Sequence, residues 1–172
     1  NILQNNPYRQ LGVYSNSPTK ERLANHNRMK AFLKVGKPVS FPLDVPQYLS
    51  SINRTEASAA DAEAKLTLPK DQILHAQFWF IKTTPLDEVA FNHLFAGEID
   101  KAEEIWQKRE GASSLQNRIV CALMCGKYAG AISLAETLYN NTQYVNQLVA
   151  AVIGTGSNFN VSDLTFSFLD IL

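Results

Sequence analysis

Residues 65–82, KLTLPKDQILHAQFWFIK, decide how the chain is organised. Pro69 lacks an N–H and disfavours α geometry at Leu68, so the alanine-rich helix expected over residues 55–67, capped by Thr55, stops or kinks there. Beyond it, Ile73, Leu74, Ala76, Phe78, Trp79, Phe80 and Ile81 are apolar nearly all round the helix that the pattern predicts. A helix with so little polar surface must be buried on more than one side. It is expected to join a leading small domain (residues 1–82) to a trailing array (residues 83–172), with an all-α fold throughout.

After this stretch come helix signals separated by tight breaks. Thr84, Pro85 and Asp87 form a capping box with Asp in place of Glu, opening a helix that ends at Gly97; residues 99–109 are its return partner. Ser113 or Ser114 opens the next helix, closed at Gly126, and residues 128–140 return. Residues 142–153 and the run from Asp163 onward are expected to form a third pair. Two pairs repeat: FNHLFAGEIDKAEEIW (91–106) aligns with VCALMCGKYAGAISLA (120–135). Leu94 meets Leu123, Gly97 meets Gly126, Ile99 meets Tyr128, Ala102 meets Ala131 and Ile105 meets Leu134, a period of 29 residues. The pattern is similar to tetratricopeptide (TPR) repeats, whose period is about 34, and implies a TPR-like array of αα-hairpins.

Before the stretch, NPYRQLGV (6–13) reads as a short helical turn offering Tyr8, Leu11 and Val13 to a core. Ser17 as N-cap and Pro18 at the first helical position start a helix that runs to Val35 and ends at Gly36. At 100° per residue, Lys20, Lys30 and Lys34 fall within about a quarter of its circumference. Ala24, Met29, Ala31, Phe32, Leu33 and Val35 are expected to cover a broad apolar side, with Leu23 among the lysines and Arg28 on the apolar arc. Pro38, Pro42 and Pro46 exclude regular helix from residues 36–54, which are expected to lie extended against the domain through Val39, Phe41, Leu43, Val45, Tyr48 and Leu49.

Residues 5–80 resemble a J-domain, the DnaJ-type module. That family opens with Asp or Asn, a tyrosine and Leu-Gly-Val, matched by Asn6, Tyr8, Leu11, Gly12 and Val13; a basic helix follows, as in residues 18–35. Its third helix ends in an alanine, a leucine and a proline at the spacing of Ala62, Leu66 and Pro69. The family's His-Pro-Asp signature is missing: its place reads Gly36, Lys37, Pro38, in a longer loop, and Leu68 stands where aspartate usually precedes the proline. The resemblance implies a J-like fold whose basic helix, with Lys20, Lys30, Lys34 and Lys37, docks on a protein partner, a 70-kDa heat-shock-type chaperone or a peptide. It also implies that the trigger for chaperone ATP hydrolysis is gone.

Composition bounds the alternatives. The 172 residues are 45% hydrophobic, enough for a sizeable core, and the net charge is zero. Residues 1–50 nevertheless carry seven Lys/Arg against two acids, a net of +5, which the remainder balances. That asymmetry favours docking between the two parts or an acidic partner. Nucleic acid is not the expected partner without interleaved exposed aromatics, and no apolar run reaches the roughly 18 residues of a membrane span. Cys121 and Cys125, spaced i, i+4, read as buried thiols acting as small hydrophobes, and the cytoplasm is the expected compartment. Lacking an initiator methionine, the chain reads as an excerpt of a longer protein.

No chemistry rises above packing. His26, His75 and His93 sit on three separate helices without metal-ligand spacing, and Asp87/Glu88 and Glu103/Glu104 are adjacent pairs that point apart. Gly154-Thr155-Gly156 lacks the lysine of a phosphate loop and reads as a linker, and the sequons at Asn53, Asn140 and Asn160 read as helix-cap positions. Phe78, Trp79, Phe80 and Trp106 are expected in the core. The expected function is therefore a non-enzymatic, intracellular protein-interaction module without cofactor or metal, a co-chaperone-like adaptor. The alternatives are an active co-chaperone with an unconventional loop and the positioning domain of a longer enzyme.

Overall fold

The computed structural model describes residues 2–155 and 161–172, so Gly156 and the sequon at Asn160 lie outside the described residues. The described residues form only helices, turns and loops. The elements are α1 (Pro7–Gln10), α2 (Thr19–Lys34), a 3-10 turn (Pro42–Asp44), α3 (Glu56–Lys65), α4 (Pro69–Ala76), α5 (Pro85–Phe95), α6 (Ile99–Gln107), α7 (Ala112–Met124), α8 (Tyr128–Tyr139), α9 (Thr142–Ile153) and α10 (Val161–Ile171).

Local chemistry sets most helix starts. Asn6 accepts a hydrogen bond from the Tyr8 amide with Pro7 at the first helical position, Thr55 pairs with Ser58 in a capping box, and Thr84 does the same with Asp87. Three starts differ from the expectation. α2 begins after Pro18, because the Ser17 hydroxyl accepts from the Tyr14 amide and leaves the helix uncapped. Asn141, not Asn140, caps α9. α7 begins at Ala112, so Ser113 and Ser114 lie inside its first turn.

The largest correction falls on the deciding stretch. α4 stops at Ala76, and residues 77–82 run on as an irregular strap rather than as helix. The aromatic run is buried on all sides as expected, with Phe78, Trp79, Phe80 and Ile81 each no more than 1% exposed. A buried strap needs partners for its own peptide groups, and asparagine and glutamine side chains from both halves of the chain supply them. Asn6 donates to the Phe78 carbonyl (3.2 Å) and Gln116 to the Gln77 and Trp79 carbonyls (2.9 and 3.2 Å). The Ser15 amide donates to the Phe80 carbonyl (2.9 Å). Asn117 then closes a two-bond ring on Ile81, accepting from its N–H (2.9 Å) and donating to its C=O (2.8 Å). Asn16 makes the same ring on Lys82, at 3.1 and 2.7 Å.

The strap thus carries one asparagine clamp from each half on consecutive residues. The core is continuous across it, from Leu3 to Phe168. Phe91 of α5 sits at its centre, 4.9–5.4 Å from the rings of Tyr14, Phe80 and Trp106.

α5 with α6 and α7 with α8 form the two expected hairpins. Their turns match bond for bond: Gly97 and Gly126 take φ of +80° and +71°, and the next amide in each, Glu98 or Lys127, donates to the carbonyl of His93 or Ala122. Only glycine enters this region without strain, which ends both first helices at the same step. The expected third hairpin does not form. Among the described residues α9 packs on α4, α7 and α8, while α10 packs on α8 and α4, because the buried faces of both helices serve the strap side of the array.

Asp87 ties these parts together. Fully buried, it accepts from the Thr83 and Thr84 amides at 2.9 and 3.1 Å and from the Trp106 indole N–H at 2.8 Å. Asp87→Asn is expected to cost roughly 1–3 kcal/mol, because an amide offers one acceptor oxygen where the carboxylate offers two and so orphans one set of donors. Urea unfolding checks this, and a change under about 0.5 kcal/mol would show that the donors find other partners.

Candidate interaction site

The site that the sequence singles out lies on α2. Its inner side is anchored by few contacts. Met29 is the one fully buried residue of the helix, Arg22 Nε lies 3.3 Å from a Glu63 carboxylate oxygen on α3, and His26 lies 3.7 Å from the other. The Asn25 carboxamide donates to the carbonyls of Leu11 (3.0 Å) and Gly12 (3.2 Å). The expected broad apolar side is not realised: Ala24, Ala31 and Val35 are exposed, Phe32 and Leu33 half-buried. α2 rests on α3 and on the turn of Leu11 and Gly12 that follows α1 through a narrow mixed seam, since a small underlying segment offers no more apolar surface to cover.

Outward, Lys20, Lys30 and Lys34 stand exposed along one side of α2, with Lys37 exposed just past Gly36. None of the four makes an ion pair or a side-chain hydrogen bond among the described residues. Lys20 and Lys34 are 14 positions apart, about 21 Å along the axis. Glu21 is the only acid of the helix and lies about 100° round from Lys20. Leu23, 51% exposed, falls between the lysines, and Val35, 66% exposed, closes their end of the helix. The outward face is therefore basic with an apolar spot at Leu23, as the helical spacing of the lysines predicts.

The loop after α2 is locked. Phe41, Leu43, Val45 and Leu49 are buried as expected, with Phe41 seated on Gly12, where a Cβ would collide with its ring and φ is +68°. Asp44, the one acid of this loop, is engaged by the Arg54 guanidinium (2.8 Å to Oδ2) and accepts from the Phe41 amide. Arg9, fully buried, donates to the backbone carbonyls of Asp44 and Ser50, each at 2.8 Å. Burial pulls the Arg9 pKa down to about 10, opposed by Asp44. Arg28 reaches over the Phe41 ring at 5.6 Å, so the base of the lysine face and the loop share one support.

The remaining candidate groups are occupied or scattered. His93 faces Glu98 at 3.1 Å, and burial pushes His75 below the ordinary imidazole value. Cys121 is buried, which raises its thiol well above the ordinary value and suppresses the thiolate; Cys125 is exposed one turn later. No group of His, Cys, Asp and Glu among the described residues could hold a metal ion. No helix among them is long and apolar enough to cross a membrane. No family model, curated protein or solved structure matches the chain.

Proposed function

We propose that the chain is a non-enzymatic protein-interaction module of the cytoplasm, a co-chaperone-like adaptor in which a J-like segment (residues 1–82) is joined to TPR-like hairpins (residues 83–172). In this reading the outward face of α2 docks a protein partner with an acidic surface, a 70-kDa heat-shock-type chaperone being the one the J-domain resemblance names. The observation that carries it is the row of exposed, unpaired lysines, Lys20, Lys30 and Lys34, continued by Lys37, on a helix whose opposite side is anchored. Unpaired like charges along one face favour an acidic counterpart and are screened by salt over about 8 Å at physiological ionic strength.

The locked loop supports docking without triggering. His-Pro-Asp is absent, and the only carboxylate of the loop, Asp44, is held by Arg54, so it presents no free acid to a bound ATPase. Binding of the fluorescently labelled protein to the chaperone is expected to weaken steeply with salt. Lys30→Glu together with Lys34→Glu is expected to weaken it roughly tenfold, since exposed ion pairs contribute about 0.2–1 kcal/mol each and reversal adds repulsion. ATPase turnover by the chaperone is expected to stay at its basal rate. Unchanged binding by the double variant would reduce the lysines to a solvated surface, and strong stimulation would overturn the trigger-less reading.

A further inference from the structure

Three buried polar atoms from three separate parts of the chain have no hydrogen-bond partner among the described residues: Ser15 Oγ ahead of α2, Gln77 Oε1 on the strap and Tyr139 Oη at the end of α8. Their residues are 4%, 4% and 1% exposed. Each is held in place by other contacts. The Ser15 amide donates to the Phe80 carbonyl, the Tyr139 ring lies 5.8 Å from that of Phe168, and Gln77 Nε2 donates to the Leu164 carbonyl at 2.8 Å. Turning the Gln77 amide over would set oxygen against oxygen at Leu164, so Oε1 stays on the other side. A buried polar group left unpaired forfeits its solvation with nothing in return, and three of them need a common explanation.

All three residues line one cavity of about 20 Å³ between α4 and α9, whose other walls are mainly apolar, Ile73, Ala76 and Val149 among them. We propose that this cavity binds a single water molecule that bridges Ser15 Oγ, Gln77 Oε1 and Tyr139 Oη. Size selects the ligand: a water needs roughly 10–15 Å³ of such space, and this cavity has no room for a larger molecule. Charge agrees, because no lining residue is charged and an ion would be buried without a counter-charge. Gln77 Oε1 can only accept, whereas each hydroxyl can donate or accept. Burial raises the Tyr139 pKa and the nearby Gln77 carboxamide opposes the rise, so the phenol has a proton to give at neutral pH. The water then donates to Gln77, accepts from Tyr139 and makes its third bond with Ser15, about the number usual for a buried water. Gln116, the fourth polar residue of the wall, already gives its Nε2 to the strap carbonyls. The bridge joins the leading segment, the strap and the trailing array at one point, and it stands whether or not the lysine face docks a chaperone.

High-resolution diffraction from crystals of the whole chain reads the site directly. The expected result is one isolated density peak within about 2.5–3.2 Å of all three atoms. A cavity without density, a peak that reaches fewer than all three, or Tyr139 Oη bonded straight to Gln77 Oε1 would overturn the proposal. Urea unfolding of Ser15→Ala, Tyr139→Phe and the pair tests the same bridge in solution. The double variant is expected to lose clearly less stability than the two single losses added together, because the first substitution already loosens the water that the second would lose. Simple addition would show that no shared partner links the two hydroxyls, which also overturns the bridge.

Discussion

Replacing Trp79 by alanine is expected to lower the unfolding free energy by about 3–5 kcal/mol, the usual cost of deleting a large buried aromatic. The side chain is wholly inaccessible, and its ring centroid lies 5.1 Å from that of Phe80. Its indole N–H donates to the Val13 carbonyl at 2.9 Å, across 66 residues of sequence. Alanine therefore removes both the filling of the seam and the partner of a buried carbonyl, and the strap that carries it is tied to α4 only by the turn bonds of the Gln77, Phe78 and Trp79 amides. For a chain of this length the loss corresponds to a fall in melting temperature of roughly 6–20 °C. Circular dichroism in urea measures it without using tryptophan fluorescence. Trp79→Phe separates the contributions, keeping much of the volume while orphaning the Val13 carbonyl at roughly 1–3 kcal/mol. A loss below about 1 kcal/mol for the alanine variant would contradict the burial of the ring.

The parts of this fold that were legible in the sequence are those set by neighbours a few residues apart. Thr84, Pro85 and Asp87 announce the start of α5 because a capping box is complete within four residues. Gly97 and Gly126 announce two ends because left-handed backbone there favours glycine whatever surrounds it. The strap could not be read this way. Phe78, Trp79, Phe80 and Ile81 satisfy the composition of a buried helix as well as that of a buried irregular segment, and what selects the second is Asn16, Gln116 and Asn117, between 36 and 66 residues away.

The α2 face shows the opposite failure. Lysines at helical spacing locate the exposed side, but Ala24, Ala31 and Val35 look like core until the small area available beneath the helix is known. The start of α7 is missed for a third reason: Ser113 and Ser114 are good caps by type, yet the chain turns at Gly111, and Ser114 serves from inside the first turn, its hydroxyl accepting from the Gly111 amide at 2.8 Å. The buried amides of Asn117 and Gln116 leave one faint signal, two polar residues within an otherwise buried stretch of α7.

Because the strap is clamped from both sides, separating the chain after Lys82 is expected to unfold both pieces. Residues 1–82 alone would keep Asn6, Ser15 and Asn16 on the strap but lose the Asn117 ring on Ile81 and the Gln116 bonds to Gln77 and Trp79. They would also lose the stacking of Phe78 on Phe168, at 5.0 Å, and the edge-to-face contact of Phe80 with Phe91. Residues 83–172 alone would expose the other side of that seam, leaving Asn117 and Gln116 of α7 without their strap partners and the Leu164 carbonyl without its 2.8 Å bond from Gln77. At 82 and 90 residues, each piece would have to be stable on a core cut through its most apolar layer, when small domains have only about 5–15 kcal/mol in total. Neither fragment is expected to show a cooperative melting transition or dispersed amide resonances, and mixing the two is expected to restore both signals as the strap finds its partners. Two fragments that each melt cooperatively on their own would show that the halves are independent domains and that the asparagine clamps merely orient them.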